Sequence, residues 1–294
     1  MGCRKSGGTL LLDGRREAVA RDAERQTAMN RLFEIARGDS PLLVNVPHAG
    51  TWIPEEIGAD LTPQGCAVPD TDWSVEQLYA FAPDAGATLM WATHSRVVVD
   101  LNRDPGGLSL YPGASNTEIC PTTTFHDAPI YRDGAMPDAA AIAARVDQYW
   151  RPYHRVLAAE IERLRARHGY CILLDGHSIV SQAPRFFAGR LPDFNLGTAD
   201  GTSCHPALAQ RVFEILCAAR GFTAVHNGRF KGGYITRHYG DPARDVHALQ
   251  LEMAQCAYMN EQAAPAYDAN RAAPLVAVLK RLVDGLTLGG NPKT

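Results

Sequence analysis

His48 and His177 stand in matching settings. Each follows a short apolar run, in Val46-Pro47-His48-Ala49-Gly50 and Asp175-Gly176-His177-Ser178, and each has a glycine close by. Imidazole is a common metal ligand near neutral pH, and glycine lets backbone or ligand approach closely. A lone histidine after a strand is ordinarily structural; two in the same setting point to a shared site. A catalytic zinc takes three protein ligands and keeps a fourth position open, often using two histidines and a carboxylate. Candidate carboxylates lie in Pro69-Asp70-Thr71-Asp72-Trp73 and one turn later at Glu76. Helix capping is the structural role open to either aspartate. Asp72 is favoured as third ligand, with Asp70 and Glu76 as alternatives. Zinc, or another divalent metal, is the cofactor that such a set implies.

Glu252 interrupts the apolar run Ala248-Leu249-Gln250-Leu251-Glu252-Met253, where a charge is costly without a partner. Beside a metal, a glutamate of this kind serves as general base toward water and then as acid toward a leaving nitrogen. Its plainer reading is a half-exposed residue at a sheet end. Cations gather in two further places. Asn102 and Arg103 close the run Arg96-Val97-Val98-Val99-Asp100-Leu101, while Arg229, Lys231 and Arg237 sit among glycines and aromatics in residues 227–238. A guanidinium fork binds a carboxylate through two parallel hydrogen bonds. Arg103, Arg229 and Arg237, grouped around strand ends and glycine loops, suit an acidic small molecule. Cys120 and Cys204 lie in loops, but neither has a recognisable nucleophile setting.

These side chains need a frame. Residues 41–47, 171–175, 222–226 and 247–253 read as strands, and 88–101 as two more, one in 88–93 and one in 96–101. Runs that are apolar throughout suggest strands covered on both faces. Helical spacing appears from Trp73 to Phe81, from Pro137 to His168, and over about 205–220 and 265–286. Pro152 should kink the longest helix and Gly169 should end it. Residues 102–137 and 178–204 read as long loops just beyond strand ends, where ligands bind in open α/β sheets. The expectation is an α/β domain, a sheet flanked by helices.

The 294 residues suffice for one large domain, and neither a repeat nor a Ser/Gly linker divides them. A net charge of −3, with 46% apolar and 21% charged residues, gives no general reason to expect nucleic acid or anionic membrane as partner. No stretch reaches the roughly 18 consecutive apolar residues of a membrane span. Seven scattered cysteines without a CxxC pair argue against a disulfide framework, so a reducing cytoplasm is the simplest setting. Residues 1–28 are Arg-rich and weakly patterned, and are read as a disordered extension or an over-extended start. The domain then spans 29–290. Met1-Gly2-Cys3-Arg4-Lys5-Ser6 formally matches a myristoylation signal, which the extension reading leaves without a role.

From about residue 30 to 262 the chain resembles the N-formylglutamate deformylases (N-formylglutamate amidohydrolases) of bacterial histidine breakdown. The resemblance rests on Pro47-His48-Ala49-Gly50, Asp70-Thr71-Asp72-Trp73, Val99-Asp100-Leu101-Asn102-Arg103, Leu110-Tyr111-Pro112-Gly113 and Asp175-Gly176-His177-Ser178-Ile179. It continues through residues 191–198, 227–237 and Gln250-Leu251-Glu252. It implies hydrolysis of N-formyl-L-glutamate to formate and L-glutamate on a phosphorylase/hydrolase-like fold shared with zinc carboxypeptidases. By that wider resemblance His48 and His177 are metal ligands, Asn102-Arg103 a carboxylate clamp and Glu252 the base. The peptidases carry a ligating glutamate three residues after the first histidine, where Thr51 stands here, so the third ligand does not carry over. The competing readings are hydrolysis of another N-acyl acidic amino acid or a peptidoglycan amide, and a non-catalytic binder of acidic metabolites.

Overall fold

The computed structural model describes residues 32–108, 116–262 and 265–293. The extension read over 1–28, Met29 and the Leu110-Tyr111-Pro112-Gly113 motif lie outside the described residues.

Seven strands form one mixed sheet: β1 (Phe33–Ala36), β2 (Leu42–Val46), β3 (Thr88–Ala92), β4 (Cys171–Ile179), β5 (Phe194–Gly197), β6 (Ala224–His226) and β7 (Val246–Ala254), in the order β1-β3-β2-β4-β7-β5-β6. β3, β2, β4 and β7 run parallel, while β1 and β5 pair antiparallel with β3 and β7. Every residue of β2, β4 and β7 is buried, as strands covered on both faces require.

Alternation sorts their side chains. Leu42, Val44, Ile172, Leu174, Leu249 and Leu251 pack with the helices Pro206–Cys217 and Ala269–Thr287. Leu43, Cys171, Leu173 and Ala248 pack on the other face with Tyr153, Leu157, Ile161 and Leu164 of the helix Arg151–His168. The architecture is the expected single-domain α/β sheet flanked by helices.

Several local expectations change. Residues 96–101 are a buried turn, not a strand: Val98 N–H bonds the Ser95 carbonyl at 3.0 Å, so the apolar run is core-facing without being extended. β1, which the sequence reading passed over, is a short edge strand, largely half-buried. β5 lies inside a span read as loop, its four residues too few to declare a period. The helix over Trp73–Phe81 shrinks to the single turn Val75–Leu78, entered through Ser74 in a left-handed conformation (φ 59°). A short helix, Tyr234–Tyr239, follows the 227–233 glycine loop.

The longest helix does end at Gly169 (φ 79°). Its expected kink is instead a π-turn, Val146–Trp150, between the helices Ala139–Arg145 and Arg151–His168. Pro152 has no N–H to give the Gln148 carbonyl, and its ring would collide there. The wider turn avoids both, and Arg151 N–H bonds the carbonyl of Val146, five residues back.

Candidate metal centre and surrounding cavity

The carboxyl ends of the central strands change character along one face. On β4 the residues facing the Arg151–His168 side run Cys171, Leu173, Asp175, His177; on β7 they run Val246, Ala248, Gln250, Glu252; on β2, Leu43 is followed by Asn45. Register pairs Asn45 with Asp175, Asp175 with Gln250, and His177 with Glu252. The same face is therefore apolar over the core and polar where the strands run out. His48 follows β2 by two residues. Asp72 comes from the following loop, whose Asp72 N–H bonds the His48 carbonyl at 3.0 Å. Gln255 holds the adjacent Thr71 carbonyl at 3.0 Å.

These contacts bring His48, Asp72 and His177 together, all buried, with one potential ligand atom from each lying within 4.8 Å of the others. Asp72 Oδ2 is 2.9 Å from His177 Nδ1 and 3.6 Å from His48 Nδ1. The opposite ring nitrogens face other carboxylates: His48 Nε2 meets Asp100 Oδ1 at 2.8 Å, and His177 Nε2 meets Asp175 Oδ2 at 2.9 Å. A carboxylate at Nε2 holds the proton there and leaves the Nδ1 lone pair for a cation. Two imidazole nitrogens and one carboxylate oxygen converging on one point, each imidazole backed by an anion, fit a zinc-type divalent ion.

The electrostatics agree. Burial pushes the Asp72 carboxyl up, but hydrogen bonds from His177 and His48 and their charge outweigh it and hold its pKa below the usual range. Burial lowers His177, yet the Asp175 and Asp72 carboxylates hold it well above its ordinary value. The centre demands positive charge, which a proton or a divalent cation supplies. Asp100 is also depressed, because Arg96 and His48 overcome its burial; Arg96 Nη2 donates to Asp100 Oδ2 at 2.6 Å. Burial drives Glu252 the other way, up to about 8. Its Oε2 accepts a hydrogen bond from Gln250 Nε2 at 3.2 Å, and Gln250 Oε1 accepts Gly233 N–H at 2.7 Å.

Above the centre opens a cavity. His48, Asp72, His177, Glu252, Asn102, Arg103 and Arg229 all line it, as does Arg96. Its apolar wall comes from Phe125, Ile179, Phe186 and Phe230, so both spans read as long loops contribute. Asn102 Oδ1 accepts Ile235 N–H at 2.8 Å, while its Nδ2 donates to Asp175 Oδ2 at 3.4 Å. Arg103 is braced by Thr117, through the carbonyl at 3.1 Å and the hydroxyl at 2.8 Å. Arg229 Nε bonds the Phe186 carbonyl at 2.7 Å. Gly233 passes so close that a Cβ there would sit 2.3 Å from Asn102 Nδ2, which explains the glycine.

Three candidates fall elsewhere. Arg237 lies on the Tyr234–Tyr239 helix, donates Nε to the Gly232 carbonyl at 2.9 Å and does not line the cavity. Asp70 accepts Phe125 N–H at 3.0 Å, and Glu76 faces Gln77; neither joins the histidine group. Burial raises the thiols of Cys120 to about 11 and Cys204 to about 12, leaving both protonated and away from the cavity. Residues that the sequence reading passed over are Asp100, Asp175, Arg96 and Gln250. The signal for two of them was available: Asp175 and Gln250 stand two before His177 and Glu252, hence on the same strand face.

A buried two-histidine, one-carboxylate centre under a cation-lined cavity, at the carboxyl ends of an α/β sheet, defines a class of candidate metal-dependent sites. A sequence model described as N-formylglutamate amidohydrolase matches residues 40–259, and the chain belongs to that family. It is 47% identical over 265 residues to the N-formylglutamate deformylase of Pseudomonas aeruginosa, covering 90% of this chain and 99% of that protein. The Pseudomonas putida N-formylglutamate deformylase is 45% identical over 262 residues, covering 89% and 98%. Among solved structures, the N-formylglutamate amidohydrolase of Ralstonia eutropha JMP134 superposes with a TM-score of 0.73 at 29% identity, covering 88% of this chain and 99% of that one. The gene product Atu2144 of Agrobacterium tumefaciens shares the fold, with a TM-score of 0.66 at 19% identity over 90% and 97% of the two chains.

Proposed function

We propose that this protein hydrolyses N-formyl-L-glutamate to formate and L-glutamate, as a step of histidine degradation, using zinc or another divalent metal held by His48, Asp72 and His177. The observation that carries the reading is the joint lining of one cavity by these three residues, Glu252 and the cations Arg103, Arg229 and Arg96. The relatives named N-formylglutamate deformylase support the choice of substrate. The catalytic domain is taken as residues 29–290.

A divalent cation, when bound, supplies Lewis acidity toward the formyl oxygen and toward water. The remaining work belongs to the chain. Arg103 with Asn102, and Arg229, hold the two carboxylates of the substrate, which fixes the formyl group over the histidine centre. Glu252 takes a proton from the attacking water as the new C–O bond forms. It returns that proton to the nitrogen as the C–N bond breaks, so water's oxygen leaves in formate and the amine leaves as L-glutamate. A carboxyl whose pKa burial has raised is suited to both halves of this exchange. The aromatic wall limits water around the substrate.

Formate release from N-formyl-L-glutamate, measured with and without a chelator, tests the proposal. N-formylaspartate, N-acetylglutamate and N-formylglutamine run in parallel rank the substrates. Preferred turnover of an acetylated or non-acidic amide would overturn the substrate assignment, and chelator-insensitive turnover would overturn the metal.

A further inference from the structure

Asn102 and Arg103 sit on a turn, and a turn does not by itself hold two side chains in register. Three successive carbonyls of that turn are each gripped from outside. The Leu101 carbonyl accepts from His154 Nε2 at 2.9 Å, the Asn102 carbonyl from Tyr234 N–H at 3.3 Å, and the Arg103 carbonyl from Trp150 Nε1 at 3.2 Å. Two of the three donors are side chains of one helical stretch, stacked on each other with ring centroids 3.7 Å apart and planes at 21°. The Tyr239 hydroxyl closes the stack at His154 Nδ1, 2.9 Å away. A carbonyl only accepts, so His154 Nε2 carries the proton.

Trp150 and His154, four apart, share one face of the helix, and the π-turn before them brings Arg145 onto that face as well. In a continuous α-helix each residue advances about 100°, so Arg145 and Trp150, five apart, would diverge widely. The extra residue in Val146–Trp150 absorbs one such step. Arg145, Trp150 and His154 then follow one another as i, i+4 and i+8 on a single stripe. That stripe meets one segment: Arg145 Nη1 approaches the Val98 carbonyl at 3.5 Å, His154 takes Leu101 and Trp150 takes Arg103.

We propose that Trp150 and His154, four apart on one helix face, are positioning residues for the Asn102–Arg103 carboxylate clamp; this rests on the function proposed above. They touch no substrate and act through the backbone of the turn. Loosening either grip should weaken recognition of one carboxylate while leaving the formyl chemistry alone.

Trp150→Phe removes the N–H and keeps the ring on His154. The substrates are N-formyl-L-glutamate and its two analogues that lack either the α- or the side-chain carboxylate, with Arg103→Ala identifying which analogue has lost the clamped group. The expected result is a five- to tenfold rise in KM for N-formyl-L-glutamate with kcat within twofold, and no comparable penalty on the analogue without the clamped carboxylate. His154→Leu should behave alike, and His154→Gln, which keeps a donor, should recover part of the loss. Equal penalties on all three substrates, or a lowered melting temperature with unchanged KM, would overturn the positioning role. A wild type that releases no formate from N-formyl-L-glutamate overturns the proposed function and, with it, this inference; normal wild-type turnover with an unaffected Trp150→Phe overturns the inference alone.

Discussion

Replacing Asp100 by Asn removes one charge and almost no volume, and its consequences can be worked from three contacts. The wholly buried carboxylate accepts Asn102 N–H at 2.8 Å and meets His48 Nε2 at 2.8 Å on Oδ1, and accepts Arg96 Nη2 at 2.6 Å on Oδ2. The asparagine amide cannot serve all three. With its NH₂ toward Arg96, donor faces donor and a buried guanidinium loses its nearest anion, keeping Asp72 Oδ1 at 3.8 Å. With its NH₂ on the other side, it opposes Asn102 N–H and forces the His48 proton onto Nδ1, the nitrogen aimed at Asp72.

Leaving one member of a buried ion pair unmatched costs roughly 3–5 kcal/mol. In a domain of this size that lowers the melting temperature by roughly 6–20 °C. Loss of a carboxylate behind a histidine ligand weakens metal binding by about 10- to 100-fold. Melting in excess chelator isolates the first effect from metal linkage, and zinc titration against a competing chelator reads the second. An Asp100→Asn protein that melts with the wild type and binds zinc unchanged would refute both the ion-pair and the tautomer argument.

Other substitutions separate the parts of the site. Glu252→Gln should keep its metal and lose turnover by roughly 100- to 10,000-fold; steady-state formate release beside elemental analysis checks both halves. Gly233→Ala would drive its Cβ into the Asn102 amide, 2.3 Å away, and should raise KM roughly tenfold or more, visible in substrate saturation curves. His154, which burial pushes down to about 3, stays neutral in the folded protein while the unfolded chain protonates near pH 6.5. The unfolded state therefore binds more protons below pH 6.5, and stability falls as pH drops toward 3, by roughly 2 kcal/mol at pH 5 from this residue. Melting curves at pH 7, 6 and 5 should show the decline, and His154→Gln should flatten it; parallel slopes for the two proteins would contradict the assignment.

The histidines were legible because each ends a buried apolar run, and Asp72 because acidic residues crowd one loop. Asp175 and Gln250 were hidden by their own strands: in a continuous apolar run, period two carries little contrast, and a polar residue looks like an interruption rather than a face. Arg96–Leu101 misled for a related reason. Burial makes a turn as apolar as a strand, and composition reports burial before it reports backbone geometry. The helix Tyr234–Tyr239 is too short for its spacing to register, so Arg237 read as part of a cationic loop although its helix carries it off the cavity. The π-turn leaves no sequence periodicity at all. Pro152 announced a disturbance without announcing its form.

The helix Arg151–His168 reaches the site twice, through neighbouring residues. Tyr153 donates to Asn45 Oδ1 at 2.6 Å, Asn45 Nδ2 donates to Asp175 Oδ1 at 2.7 Å, and Asp175 meets His177 at 2.9 Å. His154, the next residue, holds the Leu101 carbonyl. One rigid rod is thus pinned both to the histidine centre and to the clamp turn. On the proposed function, such a rod would act as a ruler for the span from reacting carbon to anchored carboxylate. Substrate length would then be measured by a helix that touches no part of the substrate, and a shift of that helix would blunt metal affinity and chain-length selectivity together.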